Sequence, residues 1–264
     1  MKNLTISIVI PAYNEEKRMG RTLDEYLKFF SLMKKQGKIE NFEILVVINN
    51  TKDRTEEIIR EKQKKFKELK YLNFKQGGKG FAIREGFKDA LKRDIDLIGF
   101  VDADMATSPE EYFKLAENIK NYDGMIASRW MKNSQSNQSF KRKFLSRGFN
   151  IIVRALFLFP YMDTQCGAKV FKRRVIEKVV SELGMTQWAF DINLLYLCRR
   201  NRFKIKEYPT IWEDKEGSKI KPSTTIQMFS GIIRLRLIYS PFEKISFPVK
   251  FILRIADKMI NKRK

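Results

Sequence analysis

Through the first half of the chain, short apolar runs rich in β-branched residues alternate with stretches whose apolar residues recur every three to four positions. The runs near 5–10, 43–48, 70–74, 96–101 and 123–128 predict strands, and the patterns between them predict helices near 17–35, 53–67, 80–93 and 108–120. Runs such as Ile6-Ser7-Ile8-Val9-Ile10 carry almost no polar face, so the sheet is expected to be covered on both sides. Strand–helix alternation makes that sheet mostly parallel, and the chain an α/β protein. In such sheets ligands bind beyond the carboxyl ends of the strands, which directs attention to the segments following each strand. Four of these are polar: Pro11-Ala12-Tyr13-Asn14-Glu15-Glu16, Asn49-Asn50-Thr51-Lys52-Asp53, Gln76-Gly77-Gly78-Lys79-Gly80 and Asp102-Ala103-Asp104.

The second half changes character. Residues 124–162 hold seven Lys/Arg and no Asp or Glu, a stretch suited to facing an anion. From Ser223 two helical patterns follow. In the last, Lys250, Arg254, Lys258 and Asn261 share one face and Ile252, Ile255, Ala256 and Met259 the other, with Pro248 at its start. The chain is therefore divided into a body, 1–222, and basic amphipathic helices, 223–264, that suit an anionic membrane surface. Residues 228–264 carry nine Lys/Arg against two Asp/Glu.

Composition narrows the chemistry. Lys+Arg 53 against Asp+Glu 31 gives a net charge of +22, which points to a polyanionic partner: nucleic acid, a membrane surface or a phosphorylated substrate. With His 0, Ser-His-Asp and Cys-His systems and histidine-ligated zinc are excluded. Cys166 and Cys198 form no metal spacing or disulfide framework and suit a reducing compartment. No stretch reaches the roughly 18 apolar residues of a spanning helix, and the first residues do not read as an export signal.

Asp102 and Asp104 stand one residue apart where the apolar Leu97–Val101 run ends. Two carboxylates so placed suit a hard divalent cation that completes its shell with water and phosphate oxygens. The same residues can also cap a strand end. Gly77-Gly78-Lys79-Gly80 supplies a close-approach backbone and a cation at a helix start, without matching the Walker A or dinucleotide pattern. A tight turn with a solvated lysine fits it too.

Taken in order, these segments resemble glycosyltransferase family 2, the nucleotide-sugar-dependent transferases of GT-A fold. Pro11, Tyr13, Asn14 and Glu15 match its opening segment, and Asp102-Ala103-Asp104 its DxD. Gly78-Lys79-Gly80, Ser128-Arg129, Asp163-Thr164-Gln165-Cys166-Gly167, Trp188-Ala189-Phe190-Asp191 and Gly217-Ser218-Lys219 resemble the dolichyl-phosphate β-glucosyltransferase branch. The resemblance implies a GT-A fold with a nucleotide-binding sheet and Mg²⁺ or Mn²⁺ held by Asp102 and Asp104. Pro11, Tyr13 and Glu15 would line the nucleoside pocket and Lys79 would lie near the diphosphate; the polar segment from Glu213 to Ser223 that holds Lys219 reads either as a lid closing over the donor phosphates or as a plain surface loop. Arg129, Arg142 and Ser146 match positions that cradle an acceptor phosphate, although a solvated basic face also fits the two arginines, and Asp191 stands where the family places its catalytic carboxylate, either orienting the sugar or acceptor or serving as base. Asp191, Asp104 and Arg129 are thus the expected catalytic residues. Asn49 replaces the aspartate that usually reads the base, and Ala168 a usual phenylalanine.

The implied reaction is inverting, metal-dependent transfer of glucose from UDP-glucose to dolichyl or another polyprenyl phosphate, at the cytoplasmic face of a membrane. A phosphate monoester is largely dianionic at neutral pH, so this nucleophile needs no strong base, consistent with a chain lacking histidine. Two alternatives stand beside it: a mannose synthase using GDP-mannose, and a basic nucleic-acid-binding protein. The second lacks any nucleic-acid motif in the sequence.

Overall fold

The computed structural model describes residues 4–184, 189–213 and 222–239, with side chains described for all of these except 140–142 and 222–227. The first half follows the apolar pattern closely. Strands β1 (Thr5–Ala12), β2 (Asn41–Asn49), β3 (Leu69–Phe74), β4 (Leu97–Val101) and β5 (Gly124–Ser128) alternate with helices α1 (Met19–Lys35), α2 (Thr55–Gln63), α3 (Lys79–Ala90) and α4 (Pro109–Glu117). Beyond them come β6 (Gln135–Asn137), α5 (Phe140–Phe157), β7 (Ala168–Lys172), α6 (Arg173–Val179), α7 (Phe190–Arg200), β8 (Ile205–Pro209), β9 (Ile211–Glu213) and α8 (Pro222–Ile238).

The main sheet has seven strands in the order β3-β2-β1-β4-β7-β5-β8. All its pairings are parallel except those of β7, which runs antiparallel between β4 and β5. The direction of winding reverses between β1 and β4, and the crevice at their carboxyl ends is where an open α/β sheet accepts a ligand. One face of the sheet packs on α1, α2 and α4 through Leu23, Phe30, Ile59 and Tyr112. The other packs on α3, α5, α6, α7 and α8 through Phe87, Val153, Val175, Leu194 and Leu235. This is an α/β fold with a mostly parallel sheet covered by helices, the architecture the sequence led to expect.

A second, two-stranded ribbon pairs β6 with β9 in parallel. It reaches the loop after β4 through the Glu213 amide, which donates to the Ala106 carbonyl at 3.1 Å. The boundary expected at 222/223 coincides with the start of α8, yet that helix belongs to the body. Ile232 and Leu235 are buried in the second core, Phe229 meets Phe149 edge to face, and Tyr239 stacks on Tyr196. The amphipathic helix expected to follow Pro248, together with Lys219 and Trp188, lies outside the described residues. No helix among the described residues is long and apolar enough to cross a membrane.

Candidate active site

Four strand ends converge on the crevice, and three of their turns hold a non-glycine residue in the left-handed region: Asn14 after β1, Asn50 after β2 and Met105 after β4. Such backbone persists only where surrounding contacts enforce it. Here they do. The Asn14 side chain accepts from the Lys52 amide at 2.9 Å, the Glu15 amide donates to Thr55 Oγ1 at 2.8 Å, and the Glu16 amide donates to Asp53 at 3.0 Å. The loops after β1 and β2 therefore form one unit. Helix α1 braces the loop after β4: Thr22 Oγ1 donates to the Ala103 carbonyl at 2.8 Å and the buried Tyr26 hydroxyl to that of Thr107 at 2.9 Å.

On this scaffold Asp102 and Asp104 stand at the mouth of the crevice. Asp104 Oδ1 accepts from the Ala106 amide at 3.0 Å, and the Asp102 amide donates to the Gly167 carbonyl at 3.0 Å. Gly167 is required by closeness, since a β-carbon there would lie 2.0 Å from Asp102 Oδ2. Lys79, the first residue of α3, places its ammonium 2.5 Å from Asp102 Oδ1. Burial works against the Lys79 charge, but Asp102, Asp191 and Asp104 outweigh it and raise its pKa above the ordinary lysine value. Burial, reinforced by Asp104 and Asp191, raises the Asp102 carboxyl although Lys79 opposes it. These directions place Lys79 and the three aspartates in one electrostatic cluster.

Asp191 sits in the first turn of α7, and α7 meets α3 so closely that a β-carbon on Gly80 would be 2.6 Å from Phe190. The Asp191 carboxylate is bonded to Lys169, a fully buried lysine of β7, at 2.5 Å. Sequence reasoning missed Lys169. The signal available was a lysine inside the apolar run Ala168-Lys169-Val170-Phe171, where a cation requires a buried partner.

The remaining expected residues are distributed as follows. Pro11 is half-buried near the end of β1, and Tyr13, just after it, is exposed. Glu15 is gripped by Arg18 in a two-pronged pair at 2.7 and 2.9 Å; burial raises its pKa, with Arg18 opposing. Asn49 is buried and its amide is engaged at both ends, donating to the Ala12 carbonyl at 2.9 Å and accepting from the Gly78 amide at 3.0 Å. It ties the end of β1 to the glycine turn, a task that needs a donor and that an aspartate could not perform. Ser146 is half-buried on α5, and Arg142 lies in the same helix with its side chain outside the described set.

Arg129 is placed differently from its expected part as a phosphate ligand. Its guanidinium makes a two-pronged pair with the buried Asp163 at 2.7 and 2.9 Å and lies between the rings of Trp130 and Trp212. Arg147, on the exposed side of α5, stacks on Trp130 at 4.8 Å and brings a solvent-facing cation to the same corner. Cys166 is buried and its thiol is pushed up to about 12 by burial, which keeps it protonated and rules it out as a nucleophile at neutral pH.

Carboxylates at the end of β4, a lysine and glycine turn at the start of α3, and a carboxylate at the start of α7 gather at one crevice. The glycosyl transferase family 2 model matches residues 7–180, and the chain belongs to that family. Its relatives place it in the dolichyl-phosphate β-glucosyltransferase-like branch. The dolichyl-phosphate beta-glucosyltransferase ALG5A of Trichomonas vaginalis is 32% identical over 241 residues, covering 89% of this chain and 73% of that protein. The Homo sapiens dolichyl-phosphate beta-glucosyltransferase is 31% identical over 247 residues, covering 89% and 75%. Among solved structures, the Mycobacterium tuberculosis glucosyl-3-phosphoglycerate synthase in complex with Mn²⁺, UDP-glucose and phosphoglyceric acid superposes with a TM-score of 0.63. It is 14% identical and covers 90% of this chain and 81% of that one, a likeness of fold. The chain is an enzyme, a glycosyltransferase.

Proposed function

We propose that the enzyme transfers glucose from UDP-glucose to the phosphate of dolichol or a related polyprenol, giving a β-linked lipid phosphosugar and UDP. The observation that carries this reading is the joining of the carboxylate mouth to an acid-free, apolar-faced helix. Helix α5 is tied to the site by Asn150, whose Oδ1 accepts from the Thr164 amide and hydroxyl at 3.0 and 2.9 Å. Its inner face buries Phe149, Val153 and Phe157, while its outer face and the turn after it expose Phe144, Leu145, Ile151 and Leu158. Arg147 and Arg154 flank this apolar face, and Ile151, Arg154, Leu158 and Phe159 line a shallow groove on it. Exposed apolar side chains interleaved with cations fit a headgroup–acyl boundary, where a polyprenyl phosphate lies.

The relatives carry dolichyl phosphate and glucose in their names, and the neighbour of like fold was solved with Mn²⁺ and UDP-glucose. Two hard oxygen donors suit Mg²⁺ or Mn²⁺ that keeps water and phosphate ligands. Among the described residues no three His, Cys, Asp or Glu side chains gather into a closed cage. Asp102 and Asp104 would hold the ion, which when bound stabilises the charge developing on the departing diphosphate. Pro11, Tyr13 and Glu15 would take the nucleoside, and Lys79 and Lys219 the diphosphate. Arg142, Ser146 and the neighbouring Arg147 would take the acceptor phosphate, with Arg129 anchoring their corner through Asp163. An oxygen of that phosphate attacks the anomeric carbon as the bond to UDP breaks, and one displacement inverts the centre. No side chain has to remove a proton from a dianion.

The protein would then work as a peripheral enzyme at a cytoplasmic membrane face, with residues 1–222 and the packed helix α8 as the catalytic unit and the basic residues of 240–264 adding surface contacts. The test is transfer of labelled sugar from UDP-glucose or GDP-mannose to dolichyl phosphate in detergent, with Mn²⁺ or Mg²⁺ and a chelator control. Metal-dependent glucosyl lipid is the expected product. Mannosyl lipid would overturn the donor, and no lipid product from either donor would overturn the acceptor.

A further inference from the structure

Lys169 lies at the centre of the sheet, opposite Phe100 of β4 and Ile126 of β5. It is completely buried, and its ammonium donates to Asp191 Oδ1 at 2.5 Å and to the Cys166 carbonyl at 2.6 Å, 5.3 Å from the centre of the Phe100 ring. A methionine or leucine would fill such a position without burying a charge, so the ammonium needs an explanation beyond packing. Its two acceptors supply one. Cys166 precedes Gly167, whose missing side chain makes room for Asp102, and Asp191 faces the cluster from α7. One buried cation thus sets Asp191 relative to the Asp102 wall.

Chemistry restricts what Asp191 can do there. A carboxylate with one oxygen taken by a buried ammonium can only accept further hydrogen bonds, through its remaining lone pairs. It repels an acceptor phosphate dianion but accepts readily from a hydroxyl, and among the substrates proposed above the groups rich in hydroxyls are the sugar and ribose of the donor. Asp191 shares its cluster with Lys79 and Asp102, where the diphosphate end of the donor would lie, and the sugar is the hydroxyl-bearing group attached there.

We propose that Lys169 is a positioning residue that holds Asp191 as a fixed hydroxyl-accepting anion for the donor's sugar. This rests on the nucleotide-sugar reading and goes beyond it, assigning Asp191 to donor recognition and not to proton removal. The test compares wild type, Asp191→Asn, Lys169→Met and the double variant by titration calorimetry with UDP-glucose and with UDP, in Mn²⁺. Both single variants should lose about tenfold in UDP-glucose affinity, the worth of one hydrogen bond to a charged group, with UDP affinity within about twofold of wild type. In the Asp191→Asn background, adding Lys169→Met should change neither affinity by more than about twofold.

Equal losses for UDP and UDP-glucose, or losses that multiply in the double variant, would overturn the proposal and leave Lys169 a scaffold residue. If Lys169→Met alone does not fold because it strands Asp191, the double variant leaves no unpaired charge, and its comparison with Asp191→Asn decides. A double variant that also fails to fold counts against the proposal. A wild type that binds neither nucleotide would overturn the donor reading itself, and UDP-glucose affinity left within about twofold of wild type by Asp191→Asn would overturn the sugar contact alone.

Discussion

Two lysine–aspartate pairs, Lys79–Asp102 and Lys169–Asp191, share one electrostatic cluster with the same 2.5 Å separation and opposite surroundings. At the mouth, Lys79 and Asp102 keep 36% and 35% of their side-chain surface exposed; at the floor, Lys169 keeps 0% and Asp191 10%. Contact distance therefore says little about what such a pair does. Water can solvate either member of the mouth pair if the other leaves, so that pair can be exchanged for a new ion at modest cost. Opening the floor pair would strand a charge in a poorly solvating interior. With Asp104, the two pairs amount to three carboxylates against two ammoniums, which leaves the cluster net negative and suited to a cation.

The largest effect should follow from breaking the mouth on its acidic side. Asp102→Asn or Asp104→Asn removes one of the two carboxylates proposed to hold the ion and should lower metal-dependent sugar transfer about 10³-fold, with Mn²⁺ binding in the presence of UDP lost in parallel. Retained Mn²⁺ binding would move the metal elsewhere.

A third pair sharpens the floor side of the comparison. Arg129 and Asp163 are as buried as the Lys169 pair, at 9% and 0% side-chain exposure, and are joined through two hydrogen bonds. Arg129→Met should cost about 3–5 kcal/mol, because Asp163 stays behind as an unpaired buried charge. The pH dependence carries the sign. Burial pushes the Asp163 carboxyl up, but the guanidinium outweighs it and holds the pKa below the ordinary aspartate value. The pair's contribution is therefore present above the unfolded pKa of about 3.9 and is lost as pH falls through the lower folded value. Without the guanidinium, burial raises the folded pKa, so acid relieves the variant. The gap in melting temperature between wild type and Arg129→Met should be widest near neutrality and narrow below about pH 4. A gap independent of pH would mean the loss is one of packing.

Gly167→Ala alters the mouth by shape alone. The added carbon falls on Asp102 Oδ2, and either the carboxylate or the Cys166–Ala168 turn has to move. Displacing a ligand by an ångström should cost about 10²-fold in turnover. Folding should be affected far less, because the turn lies at the sheet end. Turnover and thermal melts on the same sample separate the two.

Much of this site was legible in the chain. Asp102 and Asp104, Lys79 and Asp191 come from three separated segments, and the fold gathers them because each segment follows a strand or begins a helix bordering the same crevice. Predicted strands and helices of the first half fall within a few residues of those observed, since each buried run is bounded by polar turns. What was not legible depended on non-local contact. Strand β7 inserts antiparallel between β4 and β5, a placement that its five-residue pattern cannot encode, and Lys169 acquires its meaning from that insertion. Arg129 read as a free cation in an acid-free stretch, yet its acid, Asp163, lies 34 residues on, one residue past that stretch. Asn49 read as a weakened base contact, yet its amide is engaged in joining two loops.

The smallest effect tests whether the mouth pair is exchangeable. In the nucleotide-free enzyme Lys79 occupies the Asp102 oxygen that a divalent ion would need, so the ammonium and the ion compete for one carboxylate. Lys79→Met removes that competitor. Mn²⁺ binding without nucleotide, followed by paramagnetic resonance, should tighten by about three- to tenfold, since a nearby positive charge no longer opposes the ion. With UDP present the sign should reverse: the diphosphate loses a cation, and UDP affinity in Mn²⁺ should fall by about tenfold. The two effects go in opposite directions only if Lys79 leaves Asp102 for the diphosphate when the ion arrives. Parallel weakening would mean that Lys79 serves to shape Asp102, and unchanged metal binding that water already separates the pair. The same experiment on Lys169→Met/Asp191→Asn should leave nucleotide-free Mn²⁺ binding within about twofold, because the floor pair is neutral before and after.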